Sequence, residues 1–117
     1  MKIKRLFTRI GKDPYSDIEF EERTSEVRNL DGTLSNSVEI TVPTHFSTVA
    51  GDILGQKYMR RAGVPLKDSN GKVIKNEKGE VQTGGETDAR QVFDRMAGCW
   101  RYWGEQFGYF NKKEDAK

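Results

Sequence analysis

Cys99, His45, the pair Gly84-Gly85 and the run Trp100-Arg101-Tyr102-Trp103 are the places where this 117-residue chain has side chains or backbone suited to chemistry. A nucleophilic thiol needs a base or a positive field beside it. Cys99 lies between Gly98 and Trp100 at the edge of an apolar stripe, so it reads as a small buried hydrophobe. A metal centre needs several donors on one face, whereas His45 is the sole histidine and no Glu-x-x-His spacing accompanies it. "GGETDAR" precedes a helical pattern but lacks the glycine order of a phosphate loop, and Glu86 and Asp88 oppose an anion at that helix start. Rings interleaved with arginine suit the stacking of bases in single-stranded nucleic acid. Against that use, Phe93, Trp100 and Trp103 share one helical stripe, Asp94 and Glu105 dilute the charge, and no basic run comes after them. A protein contact fits better, because Trp, Tyr and Arg are the residues enriched at contact cores.

Composition narrows the setting for these residues. Hydrophobic residues make up 34% and charged residues 32%, and the mean hydropathy is -0.81, which is lean for a self-sufficient core. Twenty Lys and Arg against eighteen Asp and Glu leave +2, which names no partner. One cysteine excludes an internal disulfide and fits a reducing compartment. The opening "MKIKRLFTRIGKDPY" lacks the apolar run of a secretory signal, and no stretch reaches the length of a membrane span. A cytoplasmic protein is expected, with neither membrane nor nucleic acid as partner.

The elements that must position the aromatic residues can be read from periodicity. Residues 1–43 read as an extended arm, with Ile3, Leu6, Phe7 and Ile10 alternating loosely, and then a hairpin turning at Asp31-Gly32 in a type I′ turn. Val38, Ile40 and Val42 give its second strand one apolar face. Residues 44–65 read as a first helix with Thr44 or Ser47 as N-cap, an apolar stripe of Val49, Ile53, Leu54, Tyr58 and Ala62, and a stop at Gly63 and Pro65. Gly51 and Gly55 would serve that helix only if something packs closely on their side. Residues 66–86 read as a solvated connecting loop or, with Val73 and Ile74 against Val81, as a small exposed hairpin, and no internal repeat stands out. Residues 87–104 carry the strongest periodic signal: Thr87 as cap, then Ala89, Val92, Phe93, Met96, Ala97, Trp100 and Trp103 on one stripe, an Arg90–Asp94 pair on the flank, and Gly104 as the stop. Residues 105–117 form an aromatic loop and the opening turn of a third helix capped by Asn111. The expected fold class is α+β, mainly α: a hairpin or extended arm and then two amphipathic helices.

Three blocks, "FTRIGKDPYSDIEFEERTSEVRN", "VPTHFSTVAGDILGQKYMRRAGVP" and "GGETDARQVFDRMAGCWRYWGEQFGYF" with "NKKEDA" after it, resemble the N-terminal region of adenosylcobalamin-dependent, class II ribonucleotide reductases. Residues 66–84 carry no part of the likeness. The resemblance implies a single N-terminal, non-catalytic segment of an enzyme that makes deoxyribonucleotides, accessory to a ten-stranded α/β barrel that would be its partner in cis or as a split subunit. That barrel would hold the adenosylcobalamin, the thiyl-radical cysteine, the reducing cysteines and the nucleotide substrate. The chain has one cysteine, so no catalytic role passes to Cys99, and the chain alone is expected to be inactive, whether a truncation, a split-gene product or a remnant. Phe93, Met96, Trp100 and Trp103 are the expected packing residues, with Phe107, Tyr109 and Phe110 at the junction to the barrel. The rival reading is a free-standing protein-interaction or single-stranded nucleic-acid-binding module.

Overall fold

The computed structural model describes residues 1, 2 and 4–117; Ile3, expected in the extended arm, lies outside the described residues. Two long strands dominate, β1 (Phe20–Arg28) and β2 (Leu34–Pro43), paired antiparallel from Phe20↔Pro43 to Arg28↔Leu34. A short helix α1 (Thr48–Ile53) runs into a π-helical turn over Leu54–Tyr58. Two-residue strands β3 (Val64–Pro65) and β4 (Thr83–Gly84) pair with each other, α2 (Ala89–Gln106) comes next, and a 3-10 turn covers Lys113–Ala116.

The mainly helical expectation is therefore wrong. Strands of nine and ten residues, with a second small sheet, weigh about as much as helices of six and eighteen. Among the described residues the sheets are two-stranded and no barrel is present. The arm over residues 4–10 has no strand pairing, and Leu6, Phe7 and Ile10 are exposed.

The hairpin turn differs in type from the expectation. Gly32 has φ +85° but Asp31 does not enter the left-handed region, so the turn is not type I′. Gly32 N–H donates to Asn29 O (2.9 Å) and Asn29 N–H to Thr33 O (2.8 Å), the pattern of a type I turn closed by a G1 bulge. Asp31 accepts from the Thr33 hydroxyl and N–H, which hold its carboxyl below the usual range.

Alternation along β2 places Ile40 and Val42 in the core and Val38 at its edge. The facing residues of β1 are polar: Glu21, Arg23 and Ser25 stand opposite Val42, Ile40 and Val38. Arg23 meets this by donating to the carbonyls of Phe46 (2.8 Å), Thr44 (3.1 Å) and Ser47 (3.4 Å), which ties down the turn leading into α1. Buried Ser25 donates to Asp52 (2.7 Å), and Gln56 bridges Ser25, Asn36 and Arg61. Half of the inner sheet face is thus hydrogen-bonded rather than apolar, which is why, among the described residues, the buried hydrophobic core comprises only Ile40, Val42, Leu54, Met59, Ala89 and Val92.

Gly51 and Gly55 explain how α1 reaches that core. A β-carbon on Gly51 would lie 3.8 Å from Ile40 and 3.9 Å from Val42; one on Gly55 would lie 3.0 Å from Ile40. The glycine side of the element is the packed side, so Val49, Ile53 and Tyr58 of the expected stripe are exposed instead. Ser47 is the N-cap, accepting from Ala50 N–H at 3.1 Å. Helical structure ends at Tyr58 rather than continuing to residue 65, because Met59 turns to extended backbone with its N–H on Leu54 O.

Residues 66–86 are not a plain loop: a regular set of backbone hydrogen bonds orders them. The radius of gyration is 17.5 Å, against about 13 Å for a compact chain of roughly this length. The molecule is spread out, with a small core at one end of α2.

Candidate docking surface

The start of α2 is fixed by three devices. Thr41 N–H donates to Thr87 O (2.7 Å), so the chain enters the helix bonded to the outer edge of β2. Asp88, not Thr87, is the N-cap: its carboxylate accepts from Arg90 N–H (2.9 Å), and Gln91 Oε1 accepts from Asp88 N–H (3.0 Å), a capping box. Burial alone would raise the Asp88 carboxyl, but the Arg90 hydrogen bonds outweigh it and hold the group low. Arg90 therefore pairs with Asp88 and lies over the Phe20 ring (4.3 Å) instead of pairing with Asp94. Asp94 accepts from the Tyr15 hydroxyl at 2.7 Å; burial, then this bond, pushes the phenol well above the usual tyrosine range.

Just before the helix, Glu86 clamps three segments together. Its buried carboxylate receives Arg95 Nε (2.9 Å), Arg95 Nη2 (3.1 Å) and the Arg60 N–H (2.9 Å), and Arg95 also donates to Tyr58 O (3.0 Å). The Arg95 hydrogen bonds keep the Glu86 carboxyl below the usual range despite its burial. Nothing in the sequence singled out this pair, which lies nine residues apart across a loop and a helix start.

Beyond the clamp, the apolar stripe of α2 leaves the core. Ala89 and Val92 are buried and Phe93 packs at the core's edge, but on the same stripe Met96 is 41%, Trp100 62% and Trp103 53% exposed. Phe107, at the helix end, is 70% exposed, and its ring lies 6.2 Å from that of exposed Tyr109. Of the seven expected packing residues, the structure therefore aligns Phe93, Met96, Trp100, Trp103 and Phe107, with Tyr109 beside the last. Phe110 stands apart: its ring folds back onto Gly104, whose missing side chain makes the room. Gly104 is buried inside a helix that runs on to Gln106, so it is a packing glycine rather than a helix stop.

Cys99 is exposed, which corrects its assignment as a buried hydrophobe. Arg101 pairs with Glu105 at 3.0 Å, so the cation between the rings already has a counter-charge. Asn111 caps nothing; the final 3-10 turn begins after Lys112. A cleft of about 590 Å³ is an open groove lined by Arg101, Glu105, Phe110, Lys112, Lys113 and Lys117 among others. Among the described residues no three His, Cys, Asp or Glu side chains gather as metal ligands, and no helix is long and apolar enough to cross a membrane. With one thiol, which is exposed, these residues do not supply the several cysteines of a thiol-radical centre.

Comparison with known proteins bears on this surface. The family described as class II vitamin B12-dependent ribonucleotide reductase matches residues 21–117. A vitamin B12-dependent ribonucleotide reductase of Agrobacterium fabrum is 44% identical over 99% of the chain and 10% of its own length. Proteins of the same name from Bradyrhizobium diazoefficiens and Streptomyces clavuligerus are 40% and 28% identical, each over the whole chain and 11% of their own length. The chain spans about a tenth of the length of the curated relatives it matches.

Proposed function

We infer the role of this chain from one premise: it belongs to the class II, vitamin B12-dependent ribonucleotide reductases, as part of their N-terminal region. The reading is that of a non-catalytic segment that packs on the remainder of the reductase, with 1–117 acting as one unit. The complete enzyme would convert ribonucleotides to deoxyribonucleotides in the cytoplasm. Adenosylcobalamin, bound by that remainder, would supply the radical, and no residue of this chain takes part in that step.

The observation that carries the reading is the α2 stripe, which is core in its first turn and uncovered over the later turns. Aromatic side chains bury about 150–250 Å² each, so the half-open Trp100, Trp103, Phe107 and Tyr109 leave on the order of 400 Å² of ring surface in water. A patch of that size matches the largest on a typical monomer, which is often functional. The spread-out shape and six-residue core support the same reading, because the chain leaves apolar surface that only a further body could cover.

The test uses the rest of the reductase expressed as a separate polypeptide. Adding the chain is expected to give a co-eluting complex on gel filtration and to raise nucleotide reduction, and Trp100→Ser with Trp103→Ser is expected to abolish both effects. Absence of a complex together with activity independent of the segment would remove the reading.

A further inference from the structure

Residues 66–81 contain two tandem eight-residue units, Leu66-Lys-Asp-Ser-Asn-Gly-Lys-Val73 and Ile74-Lys-Asn-Glu-Lys-Gly-Glu-Val81. Residue identity hides them, since the lysine, glycine and valine match while the other positions agree only in class or differ outright. The backbone exposes them, because the two units make the same bonds position for position. Gly71 N–H donates to Asp68 O (3.0 Å) and Asp68 N–H to Lys72 O (2.9 Å); eight residues on, Gly79 donates to Asn76 O and Asn76 to Glu80 O, both at 2.9 Å. Asp68 Oδ1 accepts from Asn70 and Lys72 N–H, and Asn76 Oδ1 from Lys78 and Glu80 N–H. Gly71 and Gly79 have φ +77° and +80°. Each unit is a type I turn with a G1 bulge, flanked by one bridge, Lys67↔Val73 in the first and Lys75↔Val81 in the second.

The units close on each other through a ring of three bonds among positions eight apart. Ile74 N–H donates to Leu66 O (2.9 Å), Gln82 N–H to Ile74 O (3.0 Å) and Leu66 N–H to Gln82 O (2.9 Å). Three strand pairs meet at this ring: 67↔73, 75↔81, and the incoming and outgoing chain at 65↔83.

We propose that this segment is a duplicated turn unit inserted into a simple hairpin, and that its length can change by one whole unit without disturbing what it connects. The bonding dictates this. If residues 74–81 are removed, Val73 joins Gln82; Leu66 N–H keeps its bond to Gln82 O, and Leu66 O takes the Gln82 N–H in place of that of Ile74. The ladder then runs 64↔84, 65↔83, 66↔82, 67↔73 in unbroken antiparallel register, with no backbone group orphaned. Removing 66–73 gives the same result, with Ile74 in the place of Leu66. A removal of seven residues does not, because it leaves Val73 and Val81 both facing Lys67, one residue too many for the ladder beside the ring. The segment is thus a spacer quantised in steps of eight between the π-helical turn and the Glu86 clamp.

The experiment compares the full chain with three deletions, Δ74–81, Δ66–73 and the seven-residue Δ74–80, by amide hydrogen exchange and thermal unfolding. Both eight-residue deletions are expected to keep protection at Gly84 and at the residue paired with Gln82, with Tm within about 4 °C of the parent. The seven-residue deletion is expected to lose that protection. If either eight-residue deletion loses protection as the seven-residue one does, or if the seven-residue deletion retains it, the proposal is overturned.

Discussion

Replacing Glu86 by glutamine is expected to cost the fold about 2–3 kcal/mol. The wild-type carboxylate accepts three hydrogen bonds, two from Arg95 and one from the Arg60 N–H, and its side chain is 3% exposed. A glutamine keeps one acceptor oxygen and turns an NH2 group toward a guanidinium that can only donate. At least one charge-assisted bond is lost, worth about 1.5–3 kcal/mol, and the one that remains loses the carboxylate half of its ion pairing. The Arg95 side chain is 31% exposed, so water can reach it, which keeps the loss below the roughly 3–5 kcal/mol of a fully buried broken pair. For a chain of this size the shift in Tm is on the order of 10 °C. Denaturant unfolding monitored by circular dichroism measures it, with exposed Glu77→Gln as control. The acid dependence gives an independent check. Because the folded-state value of Glu86 lies below the ordinary 4.5, its contribution is complete above that value and is lost as pH falls through the depressed one. Glu86→Gln removes that part of the acid limb. A variant within about 0.5 kcal/mol of wild type, the scatter of ordinary surface changes, with an unchanged acid limb would refute the clamp's role.

The same contacts set three further outcomes. Trp100→Ser and Trp103→Ser should change the stability of the chain itself by less than about 0.5 kcal/mol, because both rings are more than half exposed, a result thermal melts can check. Gly104→Ala should expel Phe110 from its seat, since the added carbon would overlap the ring; a rise in Phe110 solvent exposure in ring-proton NMR reports it, and an unmoved ring would contradict the packing. Tyr15→Phe should lose about 1 kcal/mol at neutral pH. The raised phenol value means that the wild-type bond to Asp94 contributes fully below about pH 10 and fades above it, so the variant's stability should fall less steeply in alkali.

Much of the architecture is legible in the sequence because it depends on neighbours along the chain. Val38, Ile40 and Val42 alternate, and the alternation alone shows which face of the second strand is buried. The Asp31-Gly32 pair locates a hairpin, although the bulge that closes it depends on Asn29 and Thr33, outside that dipeptide. Ala89 to Trp103 announce one long helix with its apolar residues in line. Where that line is covered is not legible: along it, burial ends after Phe93. The first helix misleads for a related reason. Its large apolar residues suggest the buried face, but β2 approaches so closely that only the glycine side fits, and Val49 and Ile53 are left outside. The eight-residue units escape notice because a turn preserves hydrogen-bonding geometry, which Asp and Asn supply equally, rather than residue identity.

Sequence by itself determined the family, the hairpin, the long helix and the stripe of rings, since each is written in local pattern or in residue identity. Only the tertiary structure decided that the fold is as much sheet as helix, that Glu86 meets Arg95, that Gly104 seats Phe110, and that the side chains from Met96 to Phe107 on that stripe stand uncovered. Those outcomes turn on distances between segments far apart in the chain, and no local propensity encodes which side of an element another element will reach.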